Sequence, residues 1–128
     1  MKNLNEKETL KRPEEITKEF LYILDNHLDK IINGEEEEYL GIKDLANIMN
    51  IHPIHLSNTI KEKTGKSPCD ICNEKTINVA KKLLSNSELK IVEIAKLLTF
   101  EPTNFTKYFK KHTGETPSLY RKIVLNKI

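Results

Sequence analysis

The chain of 128 residues has little of several things, and each shortage excludes something. No apolar run approaches the roughly 18 to 20 residues that a membrane span needs. No hydrophobic stretch of signal-peptide type follows Met1-Lys2-Asn3 either, so a cytoplasmic protein with no membrane partner is the expectation. Four glycines and five prolines leave few loops and fit a helical protein. None of those glycines forms a phosphate-cradling loop, nothing pairs a nucleophile with a base, and four scattered histidines assemble no site. An enzyme is therefore not expected, and no cofactor is implied. Aromatic residues make up 6% against 38% hydrophobic overall, enough for a core but not a large one. At this length the chain holds one compact domain, or two small lobes sharing a connecting helix.

Cysteine is scarce as well. Cys69 and Cys72 are spaced i, i+3, as are His52 and His55, which on paper is a Cys2His2 zinc set. Against it, His52 stands where a helix starts, His55 flanks that helix's outer face, and the cysteines open the next helix after the capping pattern Ser67-Pro68-Cys69-Asp70. The four converge only if two helix starts meet. A redox pair lacks the surrounding βαβ pattern. The reading is no metal, and buried or half-buried free thiols in a reducing compartment.

A net charge of +2 hides a split. Residues 1 to 39 carry 6 basic and 11 acidic side chains, giving −5, and residues 40 to 128 carry 15 and 8, giving +7. A basic segment attracts phosphate by displacing condensed counterions, so it suits DNA, RNA or an anionic surface. Glu35 to Glu38 form an acidic run that reads as a solvated loop and would repel DNA, orienting the basic part.

What the sequence has is a repeat. Leu45 to Pro68, LANIMNIHPIHLSNTIKEKTGKSP, lies without a gap beneath Ile94 to Pro117, IAKLLTFEPTNFTKYFKKHTGETP, at a constant offset of 49 residues. Each copy opens with a short amphipathic helix, Ile42-Leu45-Ala46-Met49 or Ile91-Ile94-Ala95-Leu98. Ala46 and Ala95 allow a second helix to cross closely. That helix begins at Pro53 or Pro102, since proline suits the first helical position, and ends before Gly65 or Gly114, since glycine accepts positive φ. The unit is a helix-turn-helix. With Leu56 and Ile60, or Phe105 and Phe109, turned inward, the 100° step turns Ile54, Asn58 and Lys61 outward in the first copy, flanked by His55 and Ser57. In the second copy it turns out Thr103, Lys107 and Lys110, flanked by Asn104, Thr106 and Lys111. Asn pairs with adenine, Lys donates to guanine or phosphate, and Ser and Thr serve either.

From Leu45 to Lys122, about two thirds of the chain, the sequence resembles the DNA-binding domain of AraC/XylS-type bacterial transcription regulators. The likeness rests on the first copy, on AKKLL, on IAKLLTF and on NFTKYFKKHTGETPSLYR, the last being the most specific. It implies an all-α fold of two helix-turn-helix units joined by a long helix. It also implies a sequence-specific, double-stranded DNA-binding transcription regulator whose two recognition helices enter adjacent major grooves. Base contacts fall to Asn58, Ser57 and His55 and to Thr103, Asn104, Thr106 and Lys107, and phosphate contacts to Lys61, Lys110, Lys111 and Arg121. RNA polymerase is a further partner that such a regulator implies. The chain departs from the family at Thr99-Phe100, where glycine usually precedes the phenylalanine, in a second turn one residue shorter, and at Ile71 and Thr76, where an aromatic and an arginine are common.

The expected boundaries are 1–39 for a fraying N-terminus, an amphipathic helix and the acidic loop, 40–66 for the first unit, 67–86 for the linker and 87–128 for the second unit and a last helix. The leading helix runs from Pro13 to Asn33 with Ile16, Phe20, Ile23, Leu24, His27 or Leu28, and Ile31 as its apolar stripe. It packs on the first unit or, in the competing reading of the chain as a protein-interaction module, serves self-association or a partner. The linker, Pro68 to Leu84, has Cys72, Thr76, Val79, Ala80, Leu83 and Leu84 as its inner stripe and breaks at Ser85-Asn86-Ser87. About 17 residues at 1.5 Å give ~25 Å, against the ~34 Å between successive major-groove entries. Thr116-Pro117 opens the last helix, closed by Tyr120, Ile123 and Val124. Only about 40 residues precede the first unit, too few for a sensory domain, so the chain acts without a ligand or is a fragment.

Overall fold

A computed structural model describes residues 12–86 and 88–126. The expected fraying of the first twelve residues and the Ser87 end of the helix break lie outside that range, Arg12 excepted. The described residues are all-α. The helices are α1 Pro13–Ile32, α2 Ile42–Ile48, α3 Pro53–Thr64, α4 Pro68–Asn86, α5 Ile91–Leu97, α6 Pro102–Thr113 and α7 Pro117–Leu125. They divide into two units, one holding 12–30 and 40–73, the other 31–39 and 74–126.

The local hydrogen bonds repeat at the same offset as the sequence. The Gly41 N–H donates to Asp44 Oδ2 at 3.1 Å and the Lys90 N–H to Glu93 Oε1 at 3.2 Å, starting α2 and α5 alike. Both of these helices end in a left-handed residue, Asn50 at φ 57° and Thr99 at φ 69°. There the Asn50 and Ile51 N–H groups donate to the Asn47 and Ala46 carbonyls, and those of Thr99 and Phe100 to Lys96 and Ala95. This paired 5→2 and 6→1 bonding is the Schellman closure of a helix C-terminus. Prolines at the first position and left-handed Gly65 and Gly114 bound α3 and α6. Thr64 and Thr113 repeat a further pattern, each hydroxyl donating to Ile60 O or Phe109 O and each accepting from the N–H two residues on. Ser67 and Thr116 then cap α4 and α7 by accepting from Asp70 N and Leu119 N. The structural repeat is thus wider than the sequence repeat by several residues at each end.

Each unit has its own core. In the first, Leu45, Ala46, Met49, Ile51, Leu56 and Ile60 of the helix pair pack with Ile71 of α4 and with Ile16, Phe20 and Leu24 of α1. In the second, Ile94, Ala95, Leu98, Phe105 and Phe109 pack with Ile77, Ala80 and Leu84 of α4, and with Ile31 from the last turn of α1. Aromatics replace aliphatics here: Phe100, Phe105, Phe109 and Tyr120 stand where the first unit has Ile51, Leu56, Ile60 and Ile71. The Phe109 and Tyr120 rings meet edge-on at 5.6 Å.

Differences from expectation lie in α1 and α4. Both His27 and Leu28 are buried, and His27 Nε2 accepts the Leu40 N–H at 3.0 Å, fastening the end of the acidic loop to α1. Helix α4 continues to Asn86, two residues past the expected end at Leu84, and the Ser85 hydroxyl donates to the Lys81 carbonyl within it at 2.7 Å. Its most buried residues are Ile71, Thr76, Ile77, Ala80 and Leu84, so the stripe takes in Ile71 and Ile77 beside the expected Thr76, Ala80 and Leu84, and Cys72, Val79 and Leu83 are half-buried. Thr76 is satisfied by Tyr39, hydroxyl to hydroxyl at 2.6 Å.

Thr99 is the strained residue of the pair of turns, because a β-branched side chain in the left-handed region crowds its own backbone, whereas asparagine tolerates it. Thr99→Gly should stabilise the protein by about 1 kcal/mol and Asn50→Gly by less. Denaturant unfolding of the two variants checks this, and a loss of stability at Thr99→Gly would contradict it.

Candidate nucleic-acid interface

Helices α3 and α6 place their functional side chains by the same means. Buried Leu56, Thr59 and Ile60 fix the rotation of α3, and buried Phe105 and Phe109 fix that of α6. On α3 this leaves Ile54, Asn58 and Lys61 exposed. On α6 it leaves Thr103, Asn104, Lys107, Lys110 and Lys111 exposed. Each unit therefore gathers its own outer stripe as the helical step requires.

The flanking residues fare differently. Ser57 and Thr106 are half-buried, and the Thr106 hydroxyl donates to the Pro102 carbonyl at 3.2 Å. His55 is half-buried with its Nε2 enclosed and unpaired, so its ring edge is turned away from the outer stripe. Arg121 is held within its own unit. Its Nε donates to the Leu84 carbonyl at 3.0 Å and one of its terminal nitrogens is buried, so the guanidinium ties α7 to the end of α4 and only part of it is left to meet a phosphate. A backbone acceptor 37 residues away is invisible to motif reading.

The two faces are unequal in charge. Helix α6 carries Lys107, Lys110 and Lys111 with no acidic residue along its length. Helix α3 carries Lys61, Glu62 and Lys63, and Glu62 stands where α6 has Lys111. Lys63 lies at the surface beside α1, where its ammonium donates to Glu14 Oε1 at 2.6 Å. That hydrogen bond and charge hold the Glu14 carboxyl below the usual range and raise the Lys63 ammonium above its own.

The histidine and cysteine pairs do not form a metal site. His52 uses Nδ1 to accept the Ile54 N–H at 3.1 Å, making it the side-chain cap of α3. Cys69 is exposed rather than buried, Cys72 is half-buried, and neither is in a disulfide. Among the described residues no group of three or more potential ligands could hold a metal ion.

Residues 45–123 match the family model of a helix-turn-helix domain. The chain belongs to the AraC-type helix-turn-helix family of transcription-regulator DNA-binding domains. It is 36% identical over 85 residues to the HTH-type transcriptional regulator YobQ of Bacillus subtilis, covering 66% of this chain and 35% of that one. It thus spans about a third of that relative's length. The C-terminal domain of AraT, a response regulator from Geobacillus stearothermophilus, superposes with a TM-score of 0.65 at 28% identity, over 79% of this chain and 84% of that one. The DNA-binding domain of AdpA, solved in complex with a target DNA, shares the fold at a TM-score of 0.65 and 19% identity, over 79% and 95% of the two chains. The family match begins at Leu45, so α1 stands outside it while supplying part of the first core. No helix among the described residues is long and apolar enough to cross a membrane.

Arg121→Ala should lower stability by about 1.5 to 3 kcal/mol, the worth of a hydrogen bond to a charged donor, and leave the salt dependence of any duplex binding unchanged. A flattened salt slope with unaltered unfolding would return Arg121 to the phosphate contacts.

Proposed function

We propose that this chain is the sequence-specific, double-stranded DNA-binding part of a transcription regulator, with α3 and α6 as recognition helices entering adjacent major grooves. The observation that supports it most is the outer face of α6, where Thr103, Asn104, Lys107, Lys110 and Lys111 are all exposed on a helix without a single acid. A face of this kind has no role in the core. Its amide and hydroxyl groups suit base edges, and its ammonium groups suit phosphates and guanine.

The roles follow from position. Lys61, Lys110 and Lys111 lie toward the helix C-termini and hold the phosphate backbone, fixing the register. Asn58 in the first unit and Thr103, Asn104 and Lys107 in the second read bases. Ser57 and Thr106 stand at the edges of these faces, and His55 supports α3 from its half-buried place instead of reaching a base. Because the centre of α3 carries no cation and Glu62 offsets Lys61, α6 contributes the larger share of affinity.

The competing reading, an interaction module using α1, is disfavoured by the burial of Ile16, Phe20, Leu24, His27, Leu28 and Ile31, which spends the apolar face of that helix inside the protein. Among the large apolar side chains of α1, Tyr22 is the well exposed one, at 69%. Self-association through this helix would rest on Tyr22.

Binding to duplex DNA should weaken steeply as salt rises, with a slope of about −0.9 per phosphate neutralised. Lys107→Ala should cost more affinity than Asn58→Ala in a fluorescence titration on a selected duplex. Equal losses would contradict the ranking, and no binding to any duplex at low salt would contradict the function itself.

A further inference from the structure

Ile54 is the feature that lysines and phosphates do not explain. It is 65% exposed, although the core beneath α3 is complete without it, filled by Ile51, Leu56, Thr59 and Ile60. It occupies the second position of α3, on the outer stripe one turn before Asn58, and its counterpart in the other unit is the polar Thr103. Single apolar side chains are ordinary on a protein surface, and Ile48, Val92, Leu119 and Leu125 are exposed as well. Ile54 differs from them in its place, on the outer stripe with Asn58 and Lys61 that faces the duplex in the reading above.

Resting on the DNA-binding reading above, we infer that Ile54 reads the 5-methyl group of a thymine, making the first unit's share of the binding site dependent on A·T pairs. Bases offer one apolar group in the major groove, the thymine methyl, and no other base pair edge rewards a branched aliphatic chain there. The placement fits, because residues in the first turn of a recognition helix are the ones that approach base edges. Asn58 lies four residues on, about 6 Å along the helix axis, close to two base steps of ~3.4 Å. Its amide suits the N6 and N7 edge of an adenine. The first unit, with no cation at its reading centre, has no group placed to choose guanine. The second unit has Lys107, whose ammonium donates to guanine acceptors. One scaffold repeated at an offset of 49 residues thereby reads two chemically different half-sites.

The test uses the whole chain. Duplexes selected from a random pool supply the bound sequence, and deoxyuridine is then substituted for each thymine in turn, removing one methyl group and no hydrogen-bonding atom. At one thymine, within about two base pairs of an adenine whose replacement also weakens binding, the loss should be about fourfold, equivalent to about 0.8 kcal/mol for a buried methyl. Ile54→Ala should bind the thymine duplex several-fold more weakly and no longer distinguish thymine from uracil there. Circular dichroism checks that the variant keeps its helices, which the exposure of the side chain leads one to expect. Tight binding that is indifferent to every thymine-to-uracil change overturns the inference while leaving the DNA-binding reading intact. So does a fourfold loss that persists in Ile54→Ala. Failure to bind any duplex at low salt removes both.

Discussion

In each unit a single alanine is used twice. Its methyl side chain is small enough for the second helix to cross close above, and its carbonyl accepts the N–H of Ile51 or Phe100 as the chain leaves the first helix. The second use needs the residue between to adopt a left-handed conformation, at Asn50 or Thr99. Backbone geometry at one residue thus sets where Pro53 or Pro102 begins the next helix. The rotation of α3 or α6 follows from there, through Leu56 and Ile60 or Phe105 and Phe109. A larger side chain at Ala46 or Ala95 would push the crossing helix outward, and its exposed face would move with it. The outer residues depend on this turn more than on any contact they make themselves.

The hydrogen bonds that define the repeat join residues two to five apart, and this is why the sequence shows so much of the fold. A proline at a helix start, a glycine past its end and a hydroxyl before a proline each act on their own neighbours, so the helix limits of α3 and α6 and their inward residues could be placed without coordinates. The outer stripe followed from the same periodicity. What the sequence conceals are side chains whose partners are distant. Arg121 bonds to Leu84, Tyr39 to Thr76 and His27 to the backbone of Leu40, over 37, 37 and 13 residues. A basic residue near a lysine-bearing face reads as a phosphate ligand, and its carbonyl partner 37 residues away leaves no mark in the sequence. Thr76, Ala80 and Leu84 of α4 are buried as its periodicity requires, while Ile71 and Ile77 escape that pattern because a helix whose first turns serve one core and whose remainder serves another has no single apolar stripe.

Thr99 shows how a departure from the family pattern is absorbed. The family places glycine before the phenylalanine, and this chain has threonine in the left-handed conformation that glycine favours. The hydrogen bonds of the turn are nevertheless the same as those around Asn50, at 2.9 and 2.8 Å. Packing of Phe100 against Phe105 and Tyr108, with ring centroids at 5.8 and 4.7 Å, supplies a local reason for the turn to hold against its strain. The first unit has Ile51, Leu56 and Thr59 at the matching places, with no rings to stack, and it has the more tolerant asparagine in the turn.

Repetition with divergence also bears on how a small domain distributes its chemistry. If both outer faces carried three lysines, affinity for any duplex would rise and discrimination would fall, because phosphate contacts are blind to sequence. The charges are distributed otherwise. Lys111 is answered by Glu62, Lys107 by Asn58 and Thr103 by Ile54, so at these paired positions the first unit carries an acid, an amide or an apolar chain where the second carries a lysine or a threonine. In the proposed function the second unit then anchors, and the first, with Lys61 as its one phosphate contact, contributes mainly through the Asn58 amide and the Ile54 side chain, which reward the correct bases. The folding chemistry permits this division because caps, turns and inward residues are shared between the copies while the outward residues are bound by none of those constraints.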